Sequence, residues 1–149
     1  MARVMVLDHD DDPDPFYINE DAVGQNCMNR ADDVMLVQFF LRVLSDKDKR
    51  FRPAGAKDLK IDGLFNTDTA AYIKQYVTEN NQQKAGLDPV PDDGRVDSPF
   101  RTNSLFSTVS QKTYVMVRMN LDFQRAFPKT GLAHFGLLPE ALKKSLFLK

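Results

Sequence analysis

The chain has 149 residues, 42% of them hydrophobic, and a formal net charge of −1. That length suits one domain, or one small domain with extensions, and the apolar share is enough for a real core, here Phe-rich with eleven Phe and no Trp. The near-zero charge gives no overall pull toward nucleic acid, no run approaches membrane-spanning length, and the single cysteine, Cys27, excludes an internal disulfide.

The charge is unevenly spread. Residues 1–33 hold two basic and nine acidic side chains, residues 34–100 hold ten of each, and residues 101–149 hold eight basic and two acidic. Such asymmetry predicts an acidic arm steered by a basic C-terminal third, or a basic surface for another protein. Met1 to Leu7 is apolar but short and stops at Asp8, without the longer apolar region and small-residue cleavage site of a secretory signal. The expectation is a soluble chain without a Sec-type address, cytoplasmic or exported to the cell wall by another route.

Residues 8–14, Asp8-His9-Asp10-Asp11-Asp12-Pro13-Asp14, form an acidic run. Asp8, Asp10 and Asp12 have the alternate spacing that opens a calcium loop. The pattern then fails, with Pro13 where such a loop needs Gly and Asn19 where it needs a bidentate Glu. A solvated acidic arm over residues 1–28 is the reading, with Pro15-Phe16-Tyr17-Ile18 docking as a short extended segment.

Asn29 or Asp32 can cap a first helix running through Asp33 to Leu44. Val34, Val37, Leu41 and Leu44 recur at three- and four-residue steps, and Leu36, Phe40 and Val43 form a second apolar row. A helix apolar on two sides is buried on two sides. Gln38 lies inside that apolar surface and is expected to bond a backbone group. Residues 45–58 are charged, end in Pro and Gly, and read as a loop.

Ile61-Asp62-Gly63-Leu64-Phe65 reads as a tight turn between apolar anchors, because Asp at a turn start bonds its own backbone and Gly tolerates positive φ. Asn66 is placed as a helix N-cap, with Asp68 in the first turn where the helix dipole favours an anion. Ala70, Ile73 and Val77 follow at helical spacing, with Tyr72 and Tyr76 beside them. This second helix is expected to end between Thr78 and Asn81, and Gln82 to Pro91 to be a polar connection. Asp92-Asp93-Gly94-Arg95-Val96-Asp97 echoes the first turn. Ser98 can then cap a third helix, with Pro99 at its first position and Leu105, Phe106 and Val109 as apolar faces.

From Tyr114 to Phe123 two patterns compete. Val117, Met119, Leu121 and Phe123 alternate with polar residues, as in a strand. Leu105, Val109, Met116, Phe123 and Phe127 fit a helical stripe with no breaker between them, which favours helix. Pro128 to Gly136 reads as a connection. Pro139 to Phe147 reads as a short terminal helix, with Lys143 and Lys144 toward its C-terminal end.

In order, the chain offers Asp33-Val34, Val37-Gln38, Leu41, Asp62-Gly63-Leu64-Phe65, Thr69, Ala71, Ile73, Tyr76, Gly86-Leu87 and Asp93-Gly94-Arg95-Val96-Asp97. This series, a little under half of the chain, resembles the peptidoglycan-binding-like domain attached to many cell-wall hydrolases. It departs from that pattern at Asn66, where the family has Gly, and at Val77, where Gln is usual. The resemblance implies a mainly α fold: a compact three-helix peptidoglycan-binding-like bundle over residues 29–110 with two Asp-Gly turns. The acidic arm would precede it and a helical extension, residues 111–149, would pack on it.

No active site is apparent. The only histidines, His9 and His134, stand apart, no Gly loop cradles phosphate, and Glu is limited to Glu20, Glu79 and Glu140. Turn geometry accounts for Asp62 and Asp93 better than a glycosidase carboxylate pair does. The expected function is therefore non-catalytic, with no cofactor and no metal. By resemblance the ligand is bacterial peptidoglycan, held in a shallow groove where Phe65 and Tyr72 offer apolar faces and Asn66, Asp68 and Thr69 offer hydrogen bonds. Each of these has a structural use as well: Phe65 in the core, Asn66 and Thr69 in the cap, Tyr72 amphipathic at the helix surface. The alternative is a structural or protein–protein interaction component, of a phage or secretion apparatus, that keeps the fold without wall binding.

Overall fold

A computed structural model describes residues 2–7, 14–83, 89–98, 106–107, 112–127 and 138–142. The acidic run over residues 8–13, the Gly86-Leu87 pair, most of the stretch expected as the third helix, and residues 143–149 lie outside this set.

The first helix, α1, spans Ala31–Lys47. Its apolar residues occupy more than one face, and Val34, Leu36, Val37, Phe39, Phe40, Leu41 and Leu44 are all buried. Such a helix cannot face solvent along any long stripe, so other elements must cover it on several sides. The second helix, α2, spans Thr67–Gln83, and the third, α3, spans Val115–Ala126; both pack on α1. The described chain is mainly helical and compatible with a helical bundle. At Tyr114 to Phe123 helical periodicity prevails over the alternating pattern, because Met116, Met119, Asn120 and Phe123 face the core together.

Short strands complete the cover. Strands β1 (Arg3–Leu7) and β2 (Asp14–Ile18) form an antiparallel hairpin with Arg3 opposite Ile18. Strands β3 (Val23–Gly24) and β4 (Arg95–Val96) pair antiparallel across about half of the sequence, with Val23 opposite Val96. Strands β5 (Phe106–Ser107) and β6 (Lys112–Thr113) form a further small hairpin. The expectation of helix therefore fails at Phe106–Ser107, where the chain is extended and paired.

One core joins all these parts. Ala2, Tyr17, Ile18 and Val23 from the N-terminal stretch share it with Val115, Met119, Phe123, Leu138 and Leu142 from the C-terminal third. Tyr17, Phe39, Phe40 and Phe123 form an aromatic cluster, with Phe40 edge-on to Phe123 at 5.3 Å and to Tyr17 at 6.0 Å. Asn120 works like a strand edge on α3. Its Oδ1 accepts from Tyr17 N at 2.7 Å and its Nδ2 donates to Tyr17 O at 2.6 Å, satisfying both backbone groups of a buried residue.

The start of α1 differs from expectation. Arg30 occupies the N-cap, and its side chain makes no capping bond to the helix. Asn29, expected as a cap, instead accepts from Gly24 N and donates to Gly24 O, both at 2.8 Å, and so closes off the β3 backbone. Buried Asp33 receives the N–H groups of Glu20 and Asp21 at 2.9 and 3.1 Å. The charged loop after α1 holds a 3₁₀ turn over Lys49–Phe51, with Phe51 under Tyr76 at 5.0 Å. Arg42 and Arg52 both reach Asp58 across that loop. Helix α2 outlasts its expected end. Asn81 accepts from Val90 N and donates to Val90 O, pinning the returning chain.

Candidate functional site

The turn at Asp62-Gly63 is built around Gln38. The Gln38 Oε1 accepts from Asp62 N at 3.0 Å and Gly63 N at 2.8 Å. Its Nε2 donates to Leu64 O at 3.0 Å, and to Asp62 Oδ1 and Thr69 Oγ1 at 3.1 Å. One fully buried amide thus ties the middle of α1 to the turn and to the first turn of α2. Gly63 has φ +77°, and a Cβ there would lie 2.9 Å from Ala31 O, so both conformation and close approach demand glycine. Asp62 Oδ1 also accepts from Leu64 N at 3.0 Å. The second Asp-Gly sequence has the same local geometry: Gly94 has φ +74° and Asp93 Oδ1 accepts from Arg95 N at 3.0 Å.

The five residues expected at a ligand groove divide. Asn66 is exposed and caps α2, its Oδ1 accepting from Thr69 N at 3.0 Å. Asp68 is exposed in the first helical turn. Phe65 is half-buried against the core. Thr69 is fully buried and occupied by Gln38 and Asn66. Tyr72, expected at the helix surface, is also buried. Its hydroxyl donates to Lys57 O at 2.5 Å, and burial raises its pKa. The helix turns Tyr72 inward because the 45–58 loop folds back over it. The exposed surface beside the turn is therefore Leu64, at 65% exposure, with Asn66 and Asp68.

A separate open cleft lies between the β3–β4 ribbon and the start of α3, with a volume of about 630 Å³. Glu20, Asp21, Asp93 and Asp97 bring four carboxylates to its lining, against one guanidinium from Arg95. At Asp21 the Arg30 Nε donates to Oδ2 at 2.5 Å, and at Asp97 the Arg95 Nη2 lies 3.1 Å from Oδ1. Met28 stands 66% exposed at this cleft, and Tyr114 lines it from the α3 side. Cys27 lines it too. Burial pushes its thiol pKa up despite the nearby Arg95 guanidinium, which disfavours a reactive thiolate.

Sequence reasoning did not assemble this cleft. Its parts come from residues 20–28, 91–98 and 114–115, joined by a two-residue strand pairing that carries no periodicity of its own. The one legible signal is the second Asp-Gly turn, which puts Asp93, Arg95 and Asp97 in close succession.

Elsewhere, Tyr76 is fully buried and its hydroxyl donates to Asp122 Oδ2 at 2.6 Å, linking α2 to α3. Desolvation raises the pKa of both groups. Among the described residues, no group of three or more His, Cys, Asp or Glu side chains gathers as a metal site, and no helix is long and apolar enough to cross a membrane. Compared with protein-family models, curated proteins and solved structures, the chain matches none.

Proposed function

We propose that this chain is a non-catalytic binding module whose ligand is bacterial cell-wall peptidoglycan, bound at the exposed rim of the Asp62-Gly63 turn. The observation that carries the reading is the meeting of Gln38, Asp62, Gly63 and Thr69 around one buried amide. These residues belong to the series that bears the resemblance. Their packing leaves Leu64, Asn66 and Asp68 outward as an apolar contact flanked by polar groups, the composition of a shallow carbohydrate- or peptide-binding surface. Leu64 is the residue to change, since its exposure makes substitution nearly neutral for folding. The purified chain should be retained on cell-wall sacculi at low salt, and Leu64→Asp should abolish retention without lowering the unfolding midpoint. No retention of the parent chain overturns the reading.

The inward commitment of Thr69 and Tyr72 favours a second reading, an interaction or structural component that keeps the fold without wall binding. A defined complex or oligomer in light scattering and co-purification, with no sacculus binding, would establish it.

A further inference from the structure

The cleft between the β3–β4 ribbon and α3 has no part in the wall-binding reading, and its chemistry is different. We propose that it binds a lysine- or arginine-bearing peptide segment of a partner protein. About 630 Å³ falls within the roughly 300–1,000 Å³ typical of ligand clefts, room for a few side chains rather than a folded surface. Four carboxylates line the cleft against the guanidiniums of Arg95 and of Arg30, which pairs with Asp21, so a surplus of two negative charges makes the site complementary to cations. The carboxylates are spread over Glu20-Asp21, Asp93 and Asp97, and no three of the described acids gather as a metal site. That spacing suits cations carried along an extended chain rather than a point ion.

The protein's own side chains display the recognition. Arg30 sits on Asp21 and Arg95 on Asp97, each an intramolecular guanidinium–carboxylate pair at the cleft. Met28 supplies an exposed, deformable apolar surface for the stem of a long cationic side chain, and Tyr114 an aromatic one. An anionic wall peptide would instead meet a surplus of like charge.

The test uses the full chain and a synthetic octapeptide carrying two lysines, with a twin in which both are acetylated. Binding is read by calorimetry and by the reaction rate of Cys27, the single cysteine and a cleft-lining residue, with a maleimide. The lysine peptide should bind saturably and slow Cys27 modification at least fivefold, and the acetylated twin should bind at least tenfold more weakly. Glu20→Gln with Asp97→Asn should weaken binding at least fivefold. Arg30→Ala, which removes an internal competitor, should tighten it about threefold, and Asp46→Asn at the exposed C-terminal end of α1 should leave it unchanged. Equal binding of the two peptides, an equal effect of Asp46→Asn, or no protection of Cys27 overturns the proposal. So does loss of sacculus retention in the Glu20/Asp97 double variant, which would assign the cleft to the wall ligand. The Cys27 arm uses the parent protein, so the proposal stays falsifiable even if a cleft variant misfolds.

Discussion

Replacing Gln38 by methionine is the sharpest test of the architecture. The side chains are close in length, so packing is nearly conserved while the amide is lost. Gly63 N, a buried donor, loses its acceptor at 2.8 Å, at a cost of about 1–3 kcal/mol. Asp62 N and Leu64 O belong to exposed residues, where water replaces the partner, and each loses only about 0.5–1.5 kcal/mol. Together these come to about 2–6 kcal/mol, a large share of the roughly 5–15 kcal/mol that holds an ordinary domain together. Urea unfolding followed by circular dichroism at pH 7 measures it directly. A loss under about 0.5 kcal/mol, the size of an ordinary surface substitution, would refute the role given to this amide. Gln38→Glu adds a second signature. One carboxylate oxygen still accepts from Asp62 N and Gly63 N, but the other faces Leu64 O and the Asp62 carboxylate. Burial and that like charge raise the introduced group's folded pKa above its unfolded value. Its deficit should therefore be largest at pH 7 and shrink as pH falls through the folded pKa, when protonation restores a donor.

Gly63→Ala should cost at least about 1 kcal/mol more than Gly94→Ala. Both positions carry the left-handed backbone penalty, but only Gly63 has a backbone oxygen, Ala31 O, within 2.9 Å, whereas Gly94 has open space. Paired thermal melts check this, and equal losses would show that the close approach carries no energy. Burial holds Asp33 above the usual carboxylate value of 3.8, outweighing the two N–H bonds it accepts. With the folded pKa above the unfolded one, its contribution to stability is complete below 3.8 and is lost as pH rises through the folded value. A ¹³C carboxyl titration should find Asp33 above 3.8, and a value at or below it would contradict the burial argument. Tyr76→Phe should cost about 1–3 kcal/mol by stripping the hydroxyl donor from a largely buried carboxylate. A double-mutant cycle with Asp122→Asn should show coupling between the two positions, and additive effects would mean that the bond contributes nothing net.

Local chemistry accounts for what was legible. Asp62-Gly63 and Asp93-Gly94 were readable because an Asx bond and a positive-φ glycine are properties of two or three adjacent residues. Asn66 was readable as a cap for the same reason. The need of Gln38 for a partner followed from its place in an apolar row, though its partners lie 24 to 31 residues away and could not be named. Tyr72 was misplaced because its exposure depends on a loop outside its own helix. The strand at Phe106–Ser107 was missed because two residues leave too short a pattern to register. The candidate ligand surface was legible only in part: Leu64 was read as a turn anchor, yet it is the exposed apolar residue there.

By itself the sequence determined where helices α1 and α2 run and where two tight turns fall, since helical period, capping and glycine conformation act over a few residues. It also determined that α1 must be covered on several sides, because its apolar residues leave no solvated stripe. Tertiary structure alone decided what covers it. The Tyr17 backbone docks on Asn120, across 103 residues, and Val23 pairs with Val96. These long-range contacts drew the N-terminal stretch into the core and opened the carboxylate-lined cleft beside it. Pairings of that kind rest on complementary backbone groups brought together only after the chain collapses, and no local pattern announces them.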